Sequence, residues 1–274
     1  MSPPHPPVSP PPLETPLAFI TGASSGIGLA LAEHYYRCGW RLALVARRTD
    51  VLQERLREQR WSTDRYRIYR ADVSVPNEIV EAGQQCLREF GTPDLVIASA
   101  GISIGMDTRI REDLETLRRT FETNNLGLAA TFHPFIDAMC ERGSGRLVGI
   151  ASVAGIRGIP GHGAYCASKA AVIAYCESLR GELRGTGVSV VTILPGYIDT
   201  PLTQKNPYSM PFLLAPEVFA VRAARAIEKG TSYRVIPWQM ALVAKILRIL
   251  PNGLFDRLFA GRPRKPRQGN QPAE

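Results

Sequence analysis

Long apolar runs are missing from this sequence: none approaches the roughly 20 residues that a membrane-crossing helix needs. The N-terminal stretch "SPPHPPVSPPPLETP" is rich in proline where a secretion signal would carry an apolar segment. Cysteine offers no framework either. Cys38, Cys86, Cys140, Cys166 and Cys176 are odd in number, scattered, and show neither CxxC nor metal-ligand spacing, which fits free thiols in a reducing compartment and no metal centre. Together these features predict a protein made and kept in the cytosol. Acidic residues are the minority, 25 against 33 Lys and Arg, giving a formal charge of +8. Part of that excess lies in the final segment "GRPRKPRQGNQPAE" and no nucleic-acid motif accompanies it, so nucleic acid is excluded as the expected partner. A basic balance also suits an anionic small molecule or a membrane surface.

What is present is an alternation. The segments 17–21, 41–46, 65–71, 94–99, 146–152, 188–194 and 233–236 read as strands, most of them near-continuously apolar, as strands buried on both faces should be. Between them, 26–38, 50–60, 76–90, 112–141, 163–184 and 216–229 carry helical periodicity. Strand and helix in repeated alternation predict an α/β fold: a Rossmann-like, doubly wound parallel sheet of about seven strands with helices on both faces. With 45% apolar residues and no internal repeat or linker, residues 16–236 are expected to form one domain. A disordered leader over 1–15, an apolar helical extension over 237–261 and a loose basic tail over 262–274 flank it.

The first strand runs directly into "TGASSGIG", Thr21 to Gly28. Glycines at 22, 26 and 28 permit a tight turn and close backbone approach, and the helix N-terminus that follows offers unpaired N–H groups to a pyrophosphate. A glycine turn alone is a weak signal, but its place after the first strand favours dinucleotide binding. The second strand ends in Ala46, Arg47 and Arg48, where an NAD-preferring site would carry a carboxylate for the ribose 2′-hydroxyl. Guanidinium groups match a 2′-phosphate, so NADP(H) is the expected cofactor.

"GAYCASKAAV" (163–172) places Tyr165 and Lys169 at i,i+4, with β-carbons roughly 5–6 Å apart on one helical face. An ammonium so close favours phenolate, which predicts a tyrosine pKa drawn below about 10 and a general acid/base at this position. Cys166, beside it, reads as a small apolar filler because no histidine is placed to activate it. His162 lies in "GIPGHGAY", which reads as a mobile loop, and is expected to face solvent.

These pieces, with the "ADV" containing Asp72, "ASAG" at 98–101, "NNLG" at 124–127, Ser152 thirteen residues before Tyr165, and "PGYIDT" at 195–200, resemble the short-chain dehydrogenase/reductase family from about residue 16 to residue 236. The resemblance implies that Tyr165 donates or accepts the proton. Lys169 would bind the nicotinamide ribose and lower the tyrosine's pKa, Ser152 would hydrogen-bond the substrate oxygen, and Asn124 would hold a relay water. It implies cofactor contacts from Gly22, Ser24, Ser25, Gly26, Ile27 and Gly28, from Arg47, Arg48, Asp72 and Val73, from Ala100 and Gly101, and from Pro195, Ile198 and Thr200, besides Tyr165 and Lys169. Ala98 and Ser99 depart from the asparagines the family usually carries there, which predicts weaker support for the central sheet and cofactor.

The expected activity is hydride transfer between NADP(H) and a carbonyl or secondary alcohol. The alternatives are a non-catalytic NADP(H)-binding regulator and a membrane-surface interaction protein on the same fold. An apolar lid after residue 200 (Tyr208, Met210, Phe212, Leu213, Leu214) suggests a hydrophobic substrate or ordinary loop packing. In the extension, Met240, Val243, Ile246, Leu247 and Leu250, then Leu254, Phe255, Leu258 and Phe259, form apolar faces. These need cover from the body, a second subunit or lipid, with core cover or subunit packing favoured over peripheral membrane contact. Family resemblance further implies a homodimer or homotetramer through the helices at 112–141 and 163–184.

Overall fold

Seven parallel strands form one sheet in the order β3-β2-β1-β4-β5-β6-β7. The computed structural model describes residues 15–204 and 206–267. Most of the proline-rich leader and the end of the basic tail therefore lie outside the described residues. The strands are β1 (Leu17–Thr21), β2 (Arg41–Ala46), β3 (Tyr66–Arg70), β4 (Leu95–Ala98), β5 (Gly145–Ile150), β6 (Val188–Pro195) and β7 (Tyr233–Ile236). β1 and β4 are buried at every position, as strands covered on both faces must be. Edge strand β3, YRIYR, keeps an exposed arginine after each of its buried tyrosines, which blunts pairing with another chain.

Helices α1 (Gly26–Arg37), α2 (Thr49–Glu58), α3 (Pro76–Glu89), α4 (Asp113–Phe121), α5 (Gly127–Arg142), α6 (Gly163–Glu182), α7 (Pro201–Gln204) and α8 (Pro216–Glu228) connect or follow them. On one face α1, α2 and α8 bury Leu31, Leu52, Leu56, Phe219 and Ala223 against Ile20, Leu44 and Ile193. On the other, α3, α5 and α6 bury Ile79, Phe132, Phe135, Val172 and Cys176 against Phe19, Val96 and Leu147. The Phe19 and Phe135 rings, 4.7 Å apart, are a centre of that second layer. Because strand order reverses between β1 and β4, the loops at their C-terminal ends diverge and open a crevice, the usual place for a ligand in such sheets.

Two segments differ from expectation. The helix expected over 112–141 is two helices, α4 and α5, joined by a π-helical turn over Glu122–Leu126. The tail expected to be loose beyond 262 is tied down over residues 262–267, with Arg267 on Asp113 at 2.6 and 2.9 Å. Ahead of it the extension forms α9 (Trp238–Ile249) and α10 (Asn252–Phe259). Met240, Ala244 and Phe255 are buried, whereas Trp238, Leu242, Ile246, Ile249, Leu254 and Leu258 remain exposed. The body thus covers only one side of the extension. Among the described residues, no helix is long and apolar enough to cross a membrane.

Candidate active site

The crevice is walled by the turn after β1. Gly22 sits at φ +69°, and a Cβ there would lie 2.9 Å from Ala100 Cα, so only glycine lets this turn approach the loop after β4. Thr21 holds the two loops together: its hydroxyl accepts from Ser99 N at 3.1 Å and Ala100 N at 3.3 Å. Support for this wall therefore comes through backbone N–H groups, which side chains at 98 and 99 do not alter. Ser25 precedes α1 with no side-chain capping bond, which leaves first-turn N–H groups facing the cleft as an anion cradle. That geometry fits a dinucleotide pyrophosphate.

Among the residues singled out in the sequence, Gly22, Ser24 to Gly28, Arg47, Arg48, Asp72, Val73, Ala100, Gly101, Ser152, Tyr165, Lys169, Pro195, Ile198 and Thr200 all line this one cleft. Arg47 reaches Asp72 Oδ2 at 3.4 Å with its side chain 68% exposed, and Arg48 begins α2 beside it. Burial works against the Asp72 carboxylate, yet hydrogen bonds from Ser74 and the Arg47 cation carry its pKa below the ordinary value.

At the other end, β5 finishes at Ile150, and Ser152 caps a short 3₁₀ turn (Val153–Gly155), its Oγ accepting from Ala154 N at 3.2 Å. This turn presses on α6: a Cβ on Gly155 would lie 2.7 Å from the Lys169 carbonyl carbon. Glycine at 155 thus sets Ser152 beside Tyr165, a role the sequence reading missed.

Lys169 is buried, donates from Nζ to Ile150 O at 2.8 Å, and lies 5.8 Å from the Tyr165 ring centroid. Burial holds its pKa down at about 8. The depressed tyrosine pKa expected from i,i+4 spacing is not what results. Burial pushes the Tyr165 phenol up to about 12, with a hydrogen bond from Ser152 opposing the rise. Desolvation is the largest cause, and the Lys169 ammonium, whose own bond goes to Ile150 O, is not among the groups that lower it. The phenol is therefore a proton donor through neutral pH.

Asn124 stands behind the cleft in the π turn, at 1% exposure. Its Oδ1 accepts from Ile102 N at 2.8 Å, and Nδ2 donates to Ile102 O at 3.0 Å and Ser168 Oγ at 2.9 Å. Ser168 in turn donates to Tyr165 O at 2.8 Å, so one chain of bonds runs from the π turn through α6 to the loop after β4. A Cβ on Gly101 would lie 3.2 Å from Asn124 Oδ1 and 3.5 Å from Lys169 Nζ, which places both groups against that glycine. Asn125 points elsewhere, donating to Ser168 O at 2.8 Å.

His162 does not face solvent. It is buried at 8% exposure, with Nε2 3.0 Å from Tyr208 Oη and Nδ1 3.3 Å from Pro160 O. Burial lowers its pKa, the Pro160 bond opposes, and Lys265 lowers it further. The cover is Tyr208 of the lid, whose phenol burial pushes up. Cys166 is buried and burial pushes its thiol up, as suits a filler and not a nucleophile.

Comparison with known proteins gives three kinds of match. A family model described as short chain dehydrogenase covers residues 16–210. An uncharacterized oxidoreductase of Myxococcus xanthus is 38% identical over 239 residues, spanning 87% of this chain and 94% of the relative. Dehydrogenase/reductase SDR family member 7B of Bos taurus is 32% identical, spanning 92% and 82%. The crystal structure of an alcohol dehydrogenase from Thermococcus sibiricus, complexed with 5-hydroxy-NADP, superposes with a TM-score of 0.70 at 30% identity over 81% of this chain and 96% of that one.

Proposed function

The chain belongs to the short-chain dehydrogenase family, and on that premise we propose that it is an NADP(H)-dependent oxidoreductase acting on a ketone or secondary alcohol. The observation that carries this reading is the convergence of Ser152, Tyr165 and Lys169 at one end of a cleft whose other end is the glycine turn and Arg47. When bound, the nicotinamide would supply or accept the hydride.

The chain's own residues do the rest. As a carbonyl carbon gains a hydride, negative charge builds on its oxygen, and donors must already be aimed there. Ser152 and Tyr165 provide two hydroxyls. The neutral Tyr165 phenol transfers its proton to the developing alkoxide, and Lys169 stabilises the resulting phenolate. Asn124, by clamping Ile102, holds the loop after β4 in the position that completes the cofactor wall. Arg47 would reach a ribose 2′-phosphate by leaving Asp72, which supports NADP(H) over NAD(H).

Initial rates with NADPH and NADH side by side, against a panel of hydrophobic ketones and alcohols, test this. Turnover that favours NADPH supports the reading. Tight nucleotide binding without turnover on any substrate would instead indicate the non-catalytic regulator.

For the exposed side of α9 and α10, we assign a second copy of this chain over a lipid surface. Core cover accounts for Met240, Ala244 and Phe255 and in part for Ala241, Val243, Leu247, Leu250 and Phe259, leaving the outward Trp238, Leu242, Ile246 and Ile249 to an interface. Light scattering on the Leu242→Glu/Ile246→Glu double variant is expected to report a smaller assembly. Sedimentation of the parent protein with anionic vesicles, abolished in that variant, would favour lipid.

A further inference from the structure

The segment after α10 turns back onto the loop after β4 and onto Leu202 of α7, beside the cleft, and is fastened there. Gly105 N–H donates to Pro266 O at 3.1 Å, and Gly105 bridges Arg267 in parallel register. Arg267 forks onto Asp113, a residue only 5% exposed whose carboxylate also accepts from Asp107 N at 2.6 Å. Arg264 lies 3.8 Å from Asp107 and packs on Gly161, where a Cβ would sit 3.0 Å from Arg264 Cβ. The approach is close along its length: a Cβ on Gly105 would be 2.1 Å from Lys265 O. Asp113 is thus committed to Arg267, and Asp107 to Arg109 at 2.6 and 3.0 Å with Arg264 further off, so neither neutralises the residue between the strap's arginines.

That residue is Lys265. Its Nζ donates to Ser103 Oγ at 3.0 Å on one wall and to Leu202 O at 3.1 Å in the lid helix α7 on the other. Ile102, next to Ser103, and Leu202 itself line the same cleft as Ser152 and Tyr165. His162, whose Nε2 lies 3.0 Å from Tyr208 Oη, is near enough to Lys265 for that charge to lower its pKa. An ammonium carries three N–H donors, and both of its oxygen partners here are neutral. Among the described residues no carboxylate pairs with it. Burial also lowers its pKa to about 8, the response of a cation without a counterion.

We propose that Lys265 determines substrate specificity by receiving an anionic oxygen group of the substrate, a carboxylate, while Ser152 and Tyr165 address the ketone. This rests on the oxidoreductase reading above and narrows it to keto acids, or the matching hydroxy acids, with an apolar spacer against Ile102 and Leu202. A half-buried cation whose present partners are neutral gains most from a ligand that brings the missing charge.

The test compares a series of straight-chain keto acids of graded length with their methyl esters, in the full-length protein and in Lys265→Met, Lys265→Gln and Lys265→Arg. The parent is expected to prefer the best acid over its ester by tenfold or more in kcat/KM. Both neutral variants should lose that preference at least tenfold, through KM, while ester turnover and NADPH affinity persist, and Lys265→Arg should retain part of it. A preference that survives in both neutral variants, an equal fall for acid and ester, or no preference for acids in the parent overturns the proposal. Ester turnover in those cases leaves the oxidoreductase reading standing. No turnover of any ketone by the parent overturns both.

Discussion

Replacing Arg47 by alanine isolates the origin of cofactor choice. Arg47 is 68% exposed and engages Asp72 at 3.4 Å, so releasing it for a 2′-phosphate gives up an exposed ion pair worth about 0–1 kcal/mol. A hydrogen bond to an ionised phosphate returns about 1.5–3 kcal/mol. The net, about 0.5–3 kcal/mol, corresponds to a loss of about 2- to 150-fold in kcat/KM for NADPH. NADH has no phosphate at that position, and its kcat/KM should be essentially unchanged. The assay is the ratio of the two cofactors with one ketone in the parent and in Arg47→Ala, repeated at rising salt. Because the guanidinium is exposed, the parent's preference should shrink as ions screen it, with a Debye length of about 10 Å at 0.1 M. Arg48 lines the same cleft, so the Arg47→Ala/Arg48→Ala double variant should lose more. An unchanged NADPH to NADH ratio in the double variant would refute the assignment.

Further expectations concern the catalytic end. Ketone reduction should hold level below pH about 8 and fall above it, because burial depresses Lys169 and its charge is lost as pH rises through that value, while Tyr165 stays protonated; alcohol oxidation should rise with pH. A flat profile to pH 10, with hydride transfer limiting the rate, would contradict this. Asn124→Ala orphans the N–H and C=O of Ile102 and should destabilise the fold by about 1–3 kcal/mol per buried group left without a partner, read by urea unfolding, with turnover falling as well. Parent-like stability would remove Asn124 from its clamping role. Cys166→Ala should retain turnover, and a thiol-alkylating reagent should leave the folded parent's Cys166 unmodified; rapid inactivation through that residue would argue for a reactive thiol.

The fold was largely legible because its signals are local. Leu17–Thr21, Arg41–Ala46 and Tyr233–Ile236 occupy the spans their apolar runs predict, and the glycine turn opens α1 where its spacing requires. The π turn at Glu122–Leu126 was invisible because the backbone stays helical through it, from Phe121 to Gly127, so the helical pattern shows no break there. What escaped the sequence depends on partners far along the chain. His162 looks solvent-facing until Tyr208 covers it, 46 residues on, and the basic tail looks loose until Arg267 meets Asp113, 154 residues earlier. The Tyr165 pKa went the other way for a related reason. Helical spacing reveals the ammonium at 169, but it carries no information on how completely the surrounding walls exclude water.

Proton transfer by Tyr165 is best interrogated with Tyr165→Phe, which keeps the ring and removes only the hydroxyl. Turnover of the best ketone at saturating NADPH is the quantity to measure, alongside nucleotide affinity by fluorescence. A loss of about 10²–10⁴ in kcat with NADPH still bound is the expected result, the range a positioned general acid supplies. Full turnover in that variant would contradict the assigned chemistry.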